Sequence, residues 1–247
     1  MHVVVTGAGT GIGLAIAERL HRDGATLSLM ARDRARLARV AEPLGATALP
    51  CDIRDQGQVD AAFAAAAEAH GPVNVLVANA GIGGPNEAGE GDRFEDLVAT
   101  NLVGTYRCVR AAQRHLAAAP EPRHFVVTAS ILARIAVPGY TGYSASKAGL
   151  LGLVRSLAAE LGGEDVQVNA ICPGWVDTTM AWDGIEGIAE ADGISRDAAY
   201  ARAMDAVPLG RMSQPADIAG VVAWLVSPDA RGVTGQAIDV NGGAFMH

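Results

Sequence analysis

The chain has 247 residues, half of them hydrophobic and 19% charged, a composition that excludes disorder and a disulfide-held miniature and calls for one large core. Its net charge of −8 and its lack of any Lys/Arg run argue for a small-molecule ligand, with no nucleic acid and no membrane surface as principal partner. Cys51, Cys108 and Cys172 offer neither an even disulfide set nor a metal-ligand spacing, so we expect a cytoplasmic protein without a metal.

In chain order, short β-rich runs alternate with longer helical patterns. Strands are expected at 2–6, 25–31, 46–50, 73–78, 124–129, 166–172 and 236–240, and helices at 12–22, 33–44, 56–69, 92–117 and 143–161, with another beginning near Pro215. The pattern predicts a Rossmann-type doubly wound α/β fold: a parallel sheet of about seven strands with helices on both faces, in a single domain spanning 1–247. No secretory leader precedes the first strand pattern, and no apolar run reaches the ~20 residues of a membrane helix. The segment 178–205 breaks the rhythm and reads as a substrate lid; the alternative is a surface excursion without function.

Between the first strand and the first helix stand Gly7, Gly9, Thr10, Gly11, Ile12 and Gly13. Glycines there let main-chain N–H groups approach a pyrophosphate drawn to the helix N-terminus. The adenosine ribose of such a dinucleotide is read after the second strand, where an acid takes the 2′-hydroxyl of NAD and an arginine takes the 2′-phosphate of NADP. Here Ala31 is followed by Arg32, which predicts NADP(H). Asp33 keeps NAD(H) open if the strand ends one residue later. Asp52 after the third strand is either a partner for the adenine amine or an acid at a helix start.

Tyr143 and Lys147, four residues apart at a helix start, share one face. An ammonium beside a phenol favours the phenolate and brings its pKa toward the working range of a general acid. Lys147 is the single lysine of the chain, and an arginine would not shed its proton in the same way. Ser130 ends the 124–129 strand, at the edge where open parallel sheets place ligands, and is suited to polarising a carbonyl.

With these motifs the chain resembles the short-chain dehydrogenase/reductase family in its short single-domain branch. The resemblance spans Thr6 to Gly243: Gly7-x-x-x-Gly11-Ile12-Gly13, Asn79-Ala80-Gly81, Asn101, Ser130, Tyr143-x-x-x-Lys147, Pro173-Gly174 with Thr178, and Asn241-Gly242-Gly243. It implies a catalytic tetrad. Tyr143 is its general acid/base, Lys147 holds the nicotinamide ribose and tunes Tyr143, Ser130 polarises the carbonyl and Asn101 supports a water relay to Lys147. It also implies cofactor contacts from Ile12, Ile53, Asn79, Ala80, Gly81, Pro173, Gly174, Val176 and Thr178, and a homotetramer built through the 92–117 and 143–161 helices. One departure is Ala78, where this branch often has a second asparagine.

Within the family the likeness is greatest to ketoreductases of 3-oxoacyl thioesters and polyketides, which predicts an NADPH-dependent reductase of a ketone. The rivals are an NAD-dependent dehydrogenase of a secondary alcohol, an enoyl reductase using Tyr140 seven residues before Lys147, and a non-catalytic NADP-binding sensor. Ile131, Trp175, Met180, Trp182 and Ile185 are expected to line the substrate wall. Arg134 is either a phosphate contact for a carried substrate or a solvated surface arginine.

Overall fold

A computed structural model describes residues 1–246. Seven parallel strands form one sheet: β1 (His2–Thr6), β2 (Thr26–Ala31), β3 (Thr47–Pro50), β4 (Val75–Ala78), β5 (His124–Thr128), β6 (Gln167–Pro173) and β7 (Ala237–Val240), in the order β3-β2-β1-β4-β5-β6-β7. The order reverses between β1 and β4, so the crevice outside their C-terminal ends is where this topology places a ligand.

The helices are α1 (Gly11–Arg22), α2 (Arg34–Ala41), α3 (Gln56–His70), α4 (Phe94–Val98), α5 (Thr105–Arg114), α6 (Thr141–Leu161), α7 (Thr179–Asp192), α8 (Arg196–Asp205) and α9 (Pro215–Leu225). Strand alternation divides the core into two layers. Val4, Leu76, Phe125 and Val127 face α3, α5 and α6, with Phe63, Val109, Leu150 and Val154. Val3, Val5, Val75 and Val77 face α1, α2 and α9, with Ile16, Leu20, Leu37, Ile218 and Val222. Burial on both faces explains why the strands read as continuous apolar runs. Among the described residues no helix is long and apolar enough to cross a membrane, and all three cysteines are buried and free.

Two expected elements differ. The long 92–117 helix is α4 and α5 joined by a π-helical turn at Ala99–Gly104, ending at Arg114. That turn places Asn101 inward, fully buried. The 178–205 segment folds into α7 and α8, whose Ala181, Ile185, Ala189, Ala199 and Met204 form a third cluster with Val207 and Met212.

Candidate active site

The glycine-rich turn is held by β4's loop. Thr6 Oγ1 accepts from the main-chain nitrogens of Asn79 and Ala80, each at 3.0 Å, while Asn79 Nδ2 donates to the carbonyls of Thr6 and Gly7 at 3.3 Å. Asn79 therefore shapes the turn, and Ala78, buried in the sheet, leaves no gap in that support. Gly7 adopts φ +67°, and a Cβ there would lie 2.8 Å from Ala80 Cα. Around Gly9 a Cβ would meet only ordinary contacts, at 3.7 Å from Ala31 Cβ and Arg36 Cδ, so no packing inside the protein requires a glycine there. Thr10, the exposed N-cap of α1, makes no side-chain cap bond, and no acid stands in the first turn. The N–H groups there suit an anion.

At the end of β2, Arg32 is the first residue past the strand and is exposed. Asp33 is the N-cap of α2: its Oδ1 accepts from Arg36 N at 2.9 Å, and its Oδ2 stands 3.7 Å from Arg36 Nε. Arg36, which the sequence reading missed, brings its stem over Gly9. Its signal was its place in the first turn of the helix that follows β2. Asp52 is not the acid that caps α3, a role taken by Asp55. Instead Asp52 pairs with Arg54 at 2.7 Å, which holds its carboxyl below the usual range. Ile53 is buried, its side chain against Gly104.

Across the switch point, α6 presents Tyr143 and Lys147. Lys147 Nζ donates to the Thr128 carbonyl at 2.8 Å and lies 5.7 Å from the centre of the Tyr143 ring. Burial lowers its pKa to about 8. Tyr143 is shifted upward, chiefly by burial, with the hydrogen bond to Ser130 working downward and the charge of Tyr140 upward. The Lys147 ammonium faces the ring and spends a donor on Thr128, and Ser130 is the neighbour that favours the phenolate. Ser130 is buried and its Oγ also accepts from Leu132 N at 3.1 Å.

Asn101 and Lys147 flank Gly81, where a Cβ would lie 2.9 Å from Asn101 Oδ1 and 3.5 Å from Lys147 Nζ. Asn101 Oδ1 accepts from Ile82 N at 2.8 Å, and its Nδ2 donates to Ile82 O and to Ser146 Oγ, both at 3.0 Å. Ser146 Oγ in turn donates to the Tyr143 carbonyl at 2.7 Å. Beyond the end of β6, Thr178 faces the glycine-rich turn: its Cγ2 would be 3.1 Å from a Cβ at Gly11, while Val176 bridges to Ser213. Gly174 packs so closely on Asn241 that a Cβ would come within 2.9 Å, which accounts for the Asn241-Gly242-Gly243 segment.

Several expected wall residues have partners within the 178–205 excursion. Trp182 stacks on Tyr200 with 5.6 Å between ring centres, lies under Arg196 and donates to Asp177 Oδ1 at 2.7 Å, so it holds the excursion together. Ile185 is fully buried among α7 and α8. Trp175 packs on α7 at Gly184. The cause is common to all three: the excursion has a core of its own and draws in its largest apolar groups. Met180 is different, being 49% exposed and reaching Gly83 on the loop after β4, where a Cβ would meet its sulfur at 2.9 Å. Ile131 is buried behind Ser130. Arg134 is neither a phosphate contact nor a solvated surface group: it donates to Ala237 O at 2.9 Å, pairs with Asp239 at 3.4 Å and lies over the Phe245 ring.

The profile of the family described as enoyl-(acyl carrier protein) reductase matches residues 7–245. The chain is 36% identical to a putative ketoacyl reductase of Streptomyces coelicolor, covering 97% of this chain and 95% of that protein. The chain belongs to the short-chain dehydrogenase/reductase family. Another member of this reductase family, the 3-oxoacyl-[acyl-carrier-protein] reductase MabA of Mycobacterium bovis, is 35% identical over 99% of this chain and 92% of its own length. In structure the chain resembles a variant of the actinorhodin polyketide ketoreductase solved with NADPH, at TM-score 0.91 and 36% identity over 98% of this chain and 96% of that one. It also resembles a 3-ketoacyl-(acyl-carrier-protein) reductase of Brucella melitensis complexed with NADH, at TM-score 0.87 and 32% identity over 98% and 97%.

Proposed function

We propose that the protein is an NADPH-dependent ketoreductase that reduces a 3-oxoacyl-thioester or polyketide-like ketone to a secondary alcohol. The observation that carries this reading is Tyr143 standing beside Ser130 at the C-terminal edge of the sheet, with Lys147 buried one helical turn behind it and its ammonium 5.7 Å from the centre of the phenol ring. Two hydroxyls meeting there can both reach one carbonyl oxygen. The uncapped start of α1 and the open space at Gly9 fit a pyrophosphate. When bound, the nicotinamide dinucleotide supplies the hydride.

This chain's residues do the rest. Ser130 donates to the ketone oxygen as negative charge grows on it. Tyr143, kept protonated by its burial, delivers the proton to that oxygen. Lys147 stands ready to hold the nicotinamide ribose and to return a proton toward the phenol, its ammonium weakened by burial. Asn101 keeps the Ile82 turn beside Lys147, the place suited to a water relay. Met180 and Ile131 bound the substrate, with the 178–205 excursion as lid.

Arg32 is our choice for the 2′-phosphate, joined by Arg36. Asp33 would have to read the ribose in an NAD-linked alcohol dehydrogenase, and its carboxylate is taken up by α2. Tyr140 would have to serve in an enoyl reductase, but it stands at the N-cap of α6, and Tyr143 is the tyrosine on which Ser130 acts. We further infer a cytoplasmic homotetramer, supported by the exposed Val103 and Tyr106 on one side and Trp224 and Met246 on another. The test is direct: the purified protein is offered ketones with NADPH and alcohols with NAD, and oxidation of alcohols with NAD without reduction of any ketone sinks the reading.

A further inference from the structure

Helix α6 carries Tyr143 in its first turn but does not cap itself, since Tyr140 at its N-cap makes no side-chain cap hydrogen bond. The acceptor comes from another element. Asn86 Oδ1, on the loop after β4, accepts from the main-chain N–H of Gly142 at 2.7 Å, one residue ahead of the phenol. The amide nitrogen of the same side chain donates to Thr141 Oγ1 and to Asp92 Oδ1, both at 3.0 Å, and Asn86 N donates to Gly139 O at 2.8 Å. Asp92 Oδ1 also accepts from Phe94 N at 2.9 Å, at the start of α4.

Asn86 is buried, and a buried amide is costly unless every polar atom is bonded, which fixes its geometry tightly. The two helix starts are in close contact here: a Cβ on Gly142 would stand 3.0 Å from both Leu97 Cδ1 and Phe94 Cα. The loop itself is not shaped by its own side chains, because Gly84, Gly89 and Gly91 all take positive φ. Asn86 is thus where this cleft wall, which also carries the Met180 contact at Gly83, is fastened to the helix that holds the phenol.

We propose that Asn86 is a positioning residue for proton transfer, capping the helix of Tyr143 from the opposite loop and so setting the phenol's place against Ser130. Losing that acceptor leaves the Gly142 N–H unsatisfied, lets the turn fray and loosens the placing of the phenol beside Ser130. The inference rests on the ketoreductase reading only for the identity of the proton donor.

The test compares Asn86→Ala with the polarity-swapped pair Asn86→Asp/Asp92→Asn. In the pair, a carboxylate accepts from Gly142 N and Thr141 Oγ1 while the amide at position 92 donates to it. Ionisation of Tyr143 is followed by tyrosinate ultraviolet absorbance, differenced against Tyr143→Phe in each background, beside kcat and the Kd of NADPH. Asn86→Ala is expected to raise the Tyr143 midpoint by about one pH unit, the equivalent of one lost hydrogen bond. It is also expected to lower kcat about tenfold with the NADPH Kd within about twofold. The swapped pair is expected to recover both. An unchanged midpoint and kcat with a lower melting temperature, or a swapped pair that recovers stability but neither readout, overturns the proposal. A wild type that reduces no ketone defeats the ketoreductase reading alone, since the tyrosinate titration decides the role of Asn86 without turnover.

Discussion

Gly13 stands directly against the carbonyl oxygen of Gly7: a Cβ at position 13 would lie 2.3 Å from that oxygen and 2.6 Å from Asn79 Nδ2. The requirement at Gly13 is therefore internal packing, whereas no internal packing requires a glycine at position 9, where the proposed function puts the dinucleotide. Gly13→Ala is expected to cost about 3 kcal/mol or more and to lower the melting temperature by about 10 °C. Gly9→Ala is expected to leave the melting temperature within about 2 °C while weakening NADPH binding about tenfold or more. Calorimetry and fluorescence titration of the two variants separate the roles.

The two tyrosines at the start of α6 lie 6.4 Å apart, edge to face, and Tyr143 is the one on which Ser130 acts. Tyr143→Phe is expected to reduce kcat for ketone reduction by about 10²–10⁴-fold, the range of general acid catalysis. Tyr140→Phe should change it by no more than about threefold. The reverse ranking, together with reduction of an enoyl substrate, would assign the proton to Tyr140.

Around the adenosine end, Arg32 is exposed beside β2 and Arg36 lies over Gly9. Arg32→Ala and Arg36→Ala are each expected to weaken NADPH about tenfold, as loss of a charge-assisted hydrogen bond does, with NADH changed by less than about twofold. Equal losses for the two cofactors would show that neither guanidinium meets the 2′-phosphate.

His124 is 4% exposed on β5, and burial lowers its pKa from 6.5 to about 4. The folded state therefore refuses a proton that the unfolded chain accepts. Above pH 6.5 the group has no effect on stability; as pH falls from 6.5 toward 4 stability is lost, by up to on the order of 3 kcal/mol. His2, buried between Gly71 and Ser28, shifts in the same direction. His124→Gln should flatten the fall in melting temperature between pH 7 and about 4.5; an equal slope in the variant would place the acid sensitivity elsewhere.

The sequence by itself determined the order of strands and helices, the glycine-rich turn and the Tyr143–Lys147 spacing, because each is a local pattern with a local cause: periodicity, backbone freedom and one helical turn. Tertiary structure decided what those patterns face. Ile185 reads as pocket wall, yet α7 and α8 bury it in a core of their own, against which Trp182 packs half-buried on Tyr200, which no pattern within 178–205 announces. Arg134 finds Asp239 and Ala237 from a strand more than a hundred residues away. Asn86 looks like any polar loop residue until the fold sets it against Gly142. Spacing along a helix fixes which face a residue occupies, but which donor meets which acceptor across the cleft depends on how separate elements pack, and packing is a property of the whole core.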